Sequence, residues 1–264
     1  MCCYFSKCTH HNYLSLLTCS TTFSGWGTGG SAVSLADFDR YFFLITVSDN
    51  NGEYPIPSDM YGFQKYVCTT NDETGFEDTN INFIANPFNM GVNTVSELAE
   101  RMGGETNVTT ISRWDAHTQG WISSGYVPGF DWINDFEIQA HESLMIGVET
   151  PFTYYCAGIC DELPMWHLET TSSTNINSVY VPINTPDAVI TADLLVTNTA
   201  KIFDGSQVTR VSTVSMWDVT EQAWKTRTVG VGGENFTIDK GMALQVGVVN
   251  GMDHDWPLYD NYAD

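Results

Sequence analysis

Carboxylates are the side chains with which this chain could do chemistry. Asp and Glu total 32 against 10 Lys and Arg, and the formal net charge is -22. A suitably spaced pair of carboxylates supplies the acid and the base of a glycosidase, so a hydrolase with paired acidic residues is one hypothesis. The chain contains no Gly-x-Ser-x-Gly elbow, His-Glu-x-x-His helix, phosphate-binding loop or dinucleotide fingerprint. No residue is therefore predicted to be catalytic.

Cysteine and histidine are the next candidates, as metal ligands or redox groups. Four of the seven cysteines crowd the first twenty residues beside two histidines, but their spacing fits none of the recognised zinc patterns. His254, between Asp253 and Asp255, is the most metal-like histidine, and a surface or packing role is the favoured interpretation. We predict neither a metal nor a cofactor. Cys156 and Cys160 either close a small disulfide loop or remain two free thiols.

The charge balance limits the partners. Nucleic acid and anionic membranes both need a basic protein surface, which this chain lacks. No apolar run approaches the roughly 18 residues of a membrane span. Leu14-Ser-Leu-Leu17 is too short for a signal-peptide core, so we expect that Met1 is not the natural start. The predicted partners are another copy of the chain or a neighbouring surface protein, with polysaccharide as the alternative.

The strongest signal is an internal repeat, because most of Asn80–Val148 is written again at Asn175–Val248. Ile111-Ser-Arg-Trp-Asp-Ala-His-Thr-Gln-Gly-Trp121 returns as Val214-Ser-Met-Trp-Asp-Val-Thr-Glu-Gln-Ala-Trp224. The offset between the copies is 95 residues at the start, 103 in the middle and 100 at the end, so insertions fall between the matched blocks. A period near 100 residues is the size of an independent domain.

Hydrophobic periodicity predicts the elements of each repeat. Strand Ile81–Phe88 precedes a short helix, because Thr94-Val-Ser-Glu97 is a capping box and Gly103-Gly104 ends the apolar pattern. The helix of the second copy is expected to begin at Thr185-Pro186. The last strand alternates in both copies, Leu144-Met-Ile-Gly-Val148 and its counterpart. The predicted fold class is all-β, mainly antiparallel, with two homologous β-sandwich or open-barrel domains that each carry one short helix, plus an N-terminal β-hairpin remnant.

The repeated hairpin contains the best carboxylates of the chain. Asp115 and Asp218 each follow a Trp at the end of a strand, and Asp in that position opens a turn by accepting hydrogen bonds from its own backbone. A structural role is therefore preferred to catalysis. Trp114 and Trp217 lie in the repeated strand and are expected in the core.

Three other tryptophans, Trp132, Trp166 and Trp256, have no counterpart in the other copy. Exposed aromatic side chains stack on sugar rings, and they also pack over domain junctions. These residues are the candidate ligand-binding set, and a carbohydrate-binding accessory module is the alternative function.

The segment before the repeats reads as a hairpin. Tyr41–Ser48 predicts a strand, Asp49-Asn-Asn-Gly52 a turn and Ser58–Phe63 a returning strand. Residues 39–66 resemble the last two strands of a fibronectin type III domain, which needs about seven. The predicted organisation is an irregular lead-in at 1–30, fibronectin-like strands at 31–70, and β-domains at 79–165 and 170–257.

The repeats themselves also resemble a known kind of module. Asn-Phe-Ile-Ala-x-Pro, Trp-Asp-x-x-Thr-Gln-x-Trp and Phe-x-Ile are similar to the ~100-residue repeats that follow fibronectin-like domains in large secreted or surface proteins of uncultured bacteria. The resemblance spans Asn80 to Pro257 and implies an extracellular β-rich module with no catalytic residues to transfer. The chain departs from the pattern at His141, where the family has Gly and the second copy keeps Gly241.

The sequence thus favours a non-enzymatic module at the cell surface or outside the cell, serving in adhesion, in a stalk or as a filament subunit. Open sheet edges completed by a strand from a neighbouring chain would give such a module its partners.

Overall fold

The computed structural model gives an all-β and mainly antiparallel architecture, as the sequence predicts. The described residues are 2–4, 22–23, 33–34, 40–44, 47–49, 52–54, 60–70, 80–88, 90–160, 165–170, 175–181, 190–193, 195, 211–249 and 254–257. Within these ranges no helix is both long and apolar enough to cross a membrane. The lead-in cysteines and histidines lie outside the part whose side chains are described.

In the described part of the chain, seven strands precede the first repeat. They are β1 (Cys2–Tyr4), β2 (Thr22–Phe23), β3 (Val33–Ser34), β4 (Arg40–Leu44), β5 (Val47–Asp49), β6 (Gly52–Tyr54) and β7 (Met60–Cys68). Strands β5 and β6 close the predicted hairpin, with Asp49 opposite Gly52. Strand β4 is antiparallel to β7, and β1 adds to β4 in parallel.

The first repeat contains a five-stranded antiparallel sheet. Its elements, with the strand that follows it, are β8 (Ile81–Ala85), α1 (Val95–Arg101), a 3-10 turn (Gly104–Thr106), β9 (Val108–Asp115), β10 (Gly120–Val127), β11 (Asp131–Ile133), β12 (Ser143–Val148) and β13 (Phe152–Cys160). The sheet order is β8-β12-β9-β10-β11.

Local sequence signals explain where helix α1 begins, which face it buries and where it ends. The Thr94 side chain accepts a hydrogen bond from the Glu97 N–H, at 3.4 Å, and so caps the first turn. Val95, Leu98 and Ala99 lie on one face and are buried. Gly103 then adopts φ 105°, a left-handed conformation that ends the helix and favours glycine.

The second repeat has the same sheet. Its elements are β14 (Met165–Leu168), β15 (Ile176–Tyr180), β16 (Ile190–Thr191), β17 (Val211–Asp218), β18 (Ala223–Thr228), β19 (Gly232–Gly233), β20 (Thr237–Ile238), β21 (Ala243–Val248) and β22 (His254–Pro257). The order β15-β21-β17-β18-β19 matches that of the first repeat strand for strand. Both sheets shift register at the same place, near Val148 and near Val248.

The predicted start of the second helix, at Thr185-Pro186, lies outside the described residues. Residues 190–191 form strand β16, paired with β20, and helical structure is described from Ala192. Thr191 therefore stands just before the helix, as Thr94 does in the first repeat.

Each five-stranded sheet is covered by a second layer made of the strands that flank the repeat. Strand β7 pairs with β13 along nine residues, and β14 pairs with β22 along four. The first core lies between the β7–β13 pair, the five-stranded sheet and α1. The second core contains Leu244, Val246 and Val248, which lie on one face of the last strand, β21, and are all buried. Cys68 is fully buried in the first core. Strand β7 thus belongs to the first sandwich and also pairs with β4, which precedes the first repeat.

A buried Asn ties the two layers together in each repeat. Asn82 in β8 accepts from the Thr69 N–H at 3.1 Å and donates to the Thr69 carbonyl at 2.9 Å. Asn177 in β15 does the same with Glu169, at 2.8 and 3.0 Å. The repeated Asn-Ile-Asn sequence thus places an amide where the chain leaves the covering layer, and this amide satisfies both backbone groups of one half-buried residue.

Candidate functional site: the junction between the repeats

The repeated hairpin of the first copy is shaped by Asp115. One carboxylate oxygen of Asp115 accepts from the N–H groups of His117 and Thr118, at 2.9 and 3.3 Å, and the other accepts from the Thr118 hydroxyl at 2.8 Å. These bonds, led by the hydroxyl, lower the pKa of Asp115. Gln119 closes the turn with φ 53°.

Asp218 shapes the second hairpin in the same way. Its carboxylate accepts from the N–H groups of Thr220 and Glu221, at 2.8 and 3.0 Å. A hydrogen bond from the Lys225 ammonium is the first cause of its lowered pKa. Gln222 closes this turn with φ 49°. Both carboxylates are therefore ionised hydrogen-bond acceptors within a turn, which is a poor state for a general acid.

The left-handed turn directs the Gln119 side chain out of its own repeat and onto the second one. The Gln119 amide oxygen accepts from the Ile176 N–H at 2.8 Å, and its nitrogen donates to the Ile176 carbonyl at 3.0 Å. Trp114 adds an indole hydrogen bond to the same carbonyl at 2.7 Å.

The second repeat returns the same set of contacts. The Gln222 amide oxygen accepts from the Ile81 N–H at 2.7 Å, and its nitrogen donates to the Ile81 carbonyl at 3.1 Å. The Trp217 indole donates to that carbonyl at 2.8 Å. Each hairpin thus holds the first strand of the other repeat, and we name this pair of contacts the reciprocal clamp.

The clamp satisfies backbone groups that a sheet edge leaves open. Strands β8 and β15 are edge strands, and Ile81 and Ile176 direct their N–H and C=O groups away from their own sheets. A primary amide offers a donor and an acceptor side by side, as a peptide group does. The glutamine therefore stands in for the next strand, and the indole takes the second lone pair of the carbonyl.

Aromatic side chains fill the space around the clamp. Trp114 meets Trp121 edge to face at 5.3 Å between ring centroids, and Trp217 meets Trp224 at the same distance. Phe83 lies against both Trp121 and Trp224, at 6.4 and 5.4 Å. The prediction that Trp114 and Trp217 belong to the core is therefore corrected. They lie at the junction, because the strand alternation that buries Ile111 and Val214 turns the tryptophans to the opposite face.

The rest of the junction is less symmetric. The Ser143 hydroxyl donates to the Val179 carbonyl at 2.7 Å, and His141 Nδ1 lies 2.6 Å from the Tyr180 hydroxyl with the two rings stacked. The Tyr66 hydroxyl donates to the Gly241 carbonyl at 3.0 Å. His141 and Gly241 share one turn geometry, with φ 73° and 77°. The departure from glycine at His141 thus leaves the turn unchanged.

The structure places two of the three predicted ligand-binding tryptophans next to each other and the third elsewhere. Trp132 is half-buried and packs on the first core, with Tyr126 at 6.2 Å. Trp166 and Trp256 lie directly opposite each other in the β14–β22 pair, and their side chains are outside the described part.

The disulfide alternative for Cys156 and Cys160 is contradicted. Both residues lie in strand β13, where four residues span about 13 Å, well beyond the Cα separation that a disulfide allows. Cys156 is a buried free thiol whose Sγ lies 3.1 Å from the Met90 Sδ, and burial raises its pKa. Burial also raises the pKa of the Cys68 thiol, to about 12. Such thiols are poor nucleophiles.

Sequence reasoning missed Gln119 and Gln222, the residues that make the junction. The signal was present, because Gln stands four residues after the turn-opening Asp in both copies of the hairpin motif. Comparisons with protein-family models, curated proteins and solved structures give no match for this chain.

Proposed function

We propose that this chain is a non-enzymatic structural module of an extracellular or cell-surface protein. The observation that carries the proposal is the reciprocal clamp. Residues that both copies retain serve to lock one domain against the other, and six hydrogen bonds through two glutamines and two tryptophans do so. Such a coupled pair resists separation, which is what a stalk, adhesin or filament subunit requires.

The acidic balance supports the same role. A net charge of -22 keeps a densely displayed protein soluble and prevents adventitious contact with anionic surfaces. The carboxylates at the repeated position are engaged in turns, which favours a structural role over hydrolysis. Trp132 packs inward, and this weakens the support for sugar binding.

The experiment has a physical and a cellular part. Calorimetry of the full chain should give one unfolding transition, because the clamp couples the repeats. A variant with Gln119→Ala and Gln222→Ala should resolve two transitions. In cells that produce the protein, externally added protease should remove it without lysis. A protein that survives the protease until lysis, or that turns over polysaccharides or esters in a screen, contradicts the proposal.

A further inference from the structure

Each repeated hairpin has an outer face that is turned away from its own core and has no charged side chain. In the first repeat this face extends from Trp114 across strands β9, β10 and β11. Cross-strand partners and alternate residues of a sheet share a face, so the other members are Thr110, Ser112, Trp121, Ser123, Gly125 and Ile133. In a chain with 32 Asp and Glu, this uncharged surface is distinct from its surroundings.

The second hairpin has an outer face of the same kind. On strand β18 it consists of Trp224, Thr226 and Thr228, which lie opposite Trp217, Ser215 and Thr213 of strand β17. The charged residues of β18, Lys225 and Arg227, occupy the intervening positions and so lie on the opposite face. Both copies therefore keep one order, in which a pair of hydroxyl side chains follows a pair of tryptophans.

The aromatic end of each face is held in place and is only partly covered. Trp121 is 37% exposed, although Trp114 and Phe83 both contact its ring edge to face. Because these contacts already orient the indole, a ligand would lose little affinity to the ordering of this side chain. Phe83 also contacts Trp224, which is half-buried. The aromatic ends of the two faces thus meet at Phe83.

Hydroxyl groups lie beside the tryptophans. The Ser112 hydroxyl donates to the Ser123 hydroxyl at 2.8 Å, and one hydrogen bond of 2.8 Å joins Ser215 and Thr226. Two hydroxyls that share one hydrogen bond retain a second O–H and several acceptor lone pairs. Ser123 is exposed, so its hydroxyl is accessible to a ligand.

We infer that the outer faces of the two hairpins bind a neutral polysaccharide. The C–H groups of a sugar ring pack on the electron-rich face of an indole, and the sugar hydroxyls exchange hydrogen bonds with Ser and Thr. A net charge of -22 repels a polyanion and has no such effect on a neutral glycan. A protein partner would be expected to meet a desolvated apolar centre, whereas here the row beside the tryptophans consists of hydroxyls.

The junction favours a polymer over a single sugar. Trp121 and Trp224 both contact Phe83, so one glycan chain has an aromatic contact in each repeat. Two weak contacts with one ligand chain raise the overall affinity without any further residue. Trp132 is not part of this surface, because it packs on the first core. The inference rests on the proposed role outside the cell and deepens it by naming the partner and the surface.

The test is native affinity electrophoresis of the full chain in gels that contain hydroxyethylcellulose, glucomannan or dextran. Polygalacturonate serves as the anionic comparison. At least one of the neutral polymers should retard the native chain, and polygalacturonate should not. Trp121→Ala with Trp224→Ala should weaken the binding at least about tenfold, because both stacking surfaces are lost. Trp121→Phe keeps an aromatic ring and should retain most of the affinity.

Two further variants separate this surface from general stickiness and from unfolding. Ser112→Ala with Ser123→Ala removes only hydroxyls and should weaken the binding by a few-fold. The matched control is Phe130→Ala, which removes a 79% exposed aromatic side chain from the turn after β10 and should leave the binding unchanged. Circular dichroism checks that every variant is folded. If the tryptophan variants do not fold, the serine pair decides.

The inference is overturned if none of the neutral polymers retards the native chain, or if polygalacturonate alone does so. It is also overturned if the folded tryptophan or serine variants bind as the native chain does, or if Phe130→Ala loses as much affinity as the tryptophan variants. A chain with one calorimetric transition that external protease removes from intact cells, but that binds no neutral polymer, overturns the sugar site alone. The proposed function then stands.

Discussion

The two repeats agree in every strand of the main sheet and differ where each meets its surroundings. Both use Trp and Gln of one hairpin to hold the first strand of the other copy. Inside, Arg113 and Glu142 form an ion pair at 3.0 Å in the first repeat, and Met216 and Met242 stand at the same places and pack on the second core. The shared residues therefore specify fold and junction. The unshared ones, such as the Arg113–Glu142 pair and the methionines in its place, distinguish the two cores.

Removal of a core side chain gives the largest expected effect and tests whether the cores are coupled. Leu144→Ala and Leu244→Ala remove equivalent, fully buried leucines, and each should lower the free energy of unfolding by about 2–5 kcal/mol. If the junction couples the repeats, both variants shift the same transition in a urea titration. Two separate transitions, with each variant shifting only one of them, would show that the repeats unfold independently. Val231→Ala, at an 85% exposed side chain, is the control and should change little.

Loss of the clamp comes next and has a crossed signature. Gln222→Ala removes the side-chain partner of the Ile81 N–H and leaves the Ile81 carbonyl with the Trp217 indole alone. Gln119→Ala does the same at Ile176, where the Trp114 indole remains, and each variant should cost about 1–3 kcal/mol. Amide hydrogen exchange should accelerate at Ile81 in the first variant and at Ile176 in the second. Faster exchange only within the repeat that carries the mutation would refute the reciprocal clamp. Gln222→Glu keeps the acceptor and loses the donor, so its effect should be intermediate.

The ion pair gives a smaller effect that compares the two cores directly. Glu142→Met alone should cost about 1–2 kcal/mol, because Arg113 loses its charged partner in a half-buried site. Burial raises the pKa of Glu142, a sign that its charge is already disfavoured there. Adding Arg113→Met gives both methionines of the second repeat and should recover most of the lost stability. Replacement of both partners of a buried ion pair by apolar side chains is often neutral or stabilising. The check is a double-mutant cycle by chemical denaturation. A double variant whose loss in unfolding free energy equals or exceeds the sum of the two single-variant losses would contradict this expectation.

Acid titration should give the smallest effect. The pKa values of Asp115 and Asp218 are lowered below 3.8 in the folded chain, so the native state binds fewer protons there than the unfolded state. Their contribution to the free energy of unfolding is therefore fully present above the unfolded pKa of 3.8, and it is lost as the pH falls through the folded pKa values. Unfolding free energies measured between about pH 5 and pH 2 should fall less steeply in Asp115→Asn and Asp218→Asn. An unchanged slope in both variants would show that the turns do not depend on the charge.

Local patterns predicted much of the fold because each depends on neighbours in the chain. The capping residue Thr94, the turn opener Asp115 and the alternation of Leu144, Ile146 and Val148 all act within a few residues. Sequence reasoning did not predict the short strand β16, because that strand forms only by pairing with β20, which lies far along the chain. The disulfide failed for a related reason, since spacing alone does not reveal that Cys156 and Cys160 share one extended strand.

By itself, the sequence determined the repeat, the all-β class, the turns and the alternating faces of the last strands. Tertiary structure decided which face of Trp114 is covered and by what, because alternation fixes only that two faces exist. It also decided that Gln119 contacts Ile176, a residue 57 positions away in the other copy. A side-chain amide carries no local preference for that partner, so the contact arises only when folding brings the two sheet edges together.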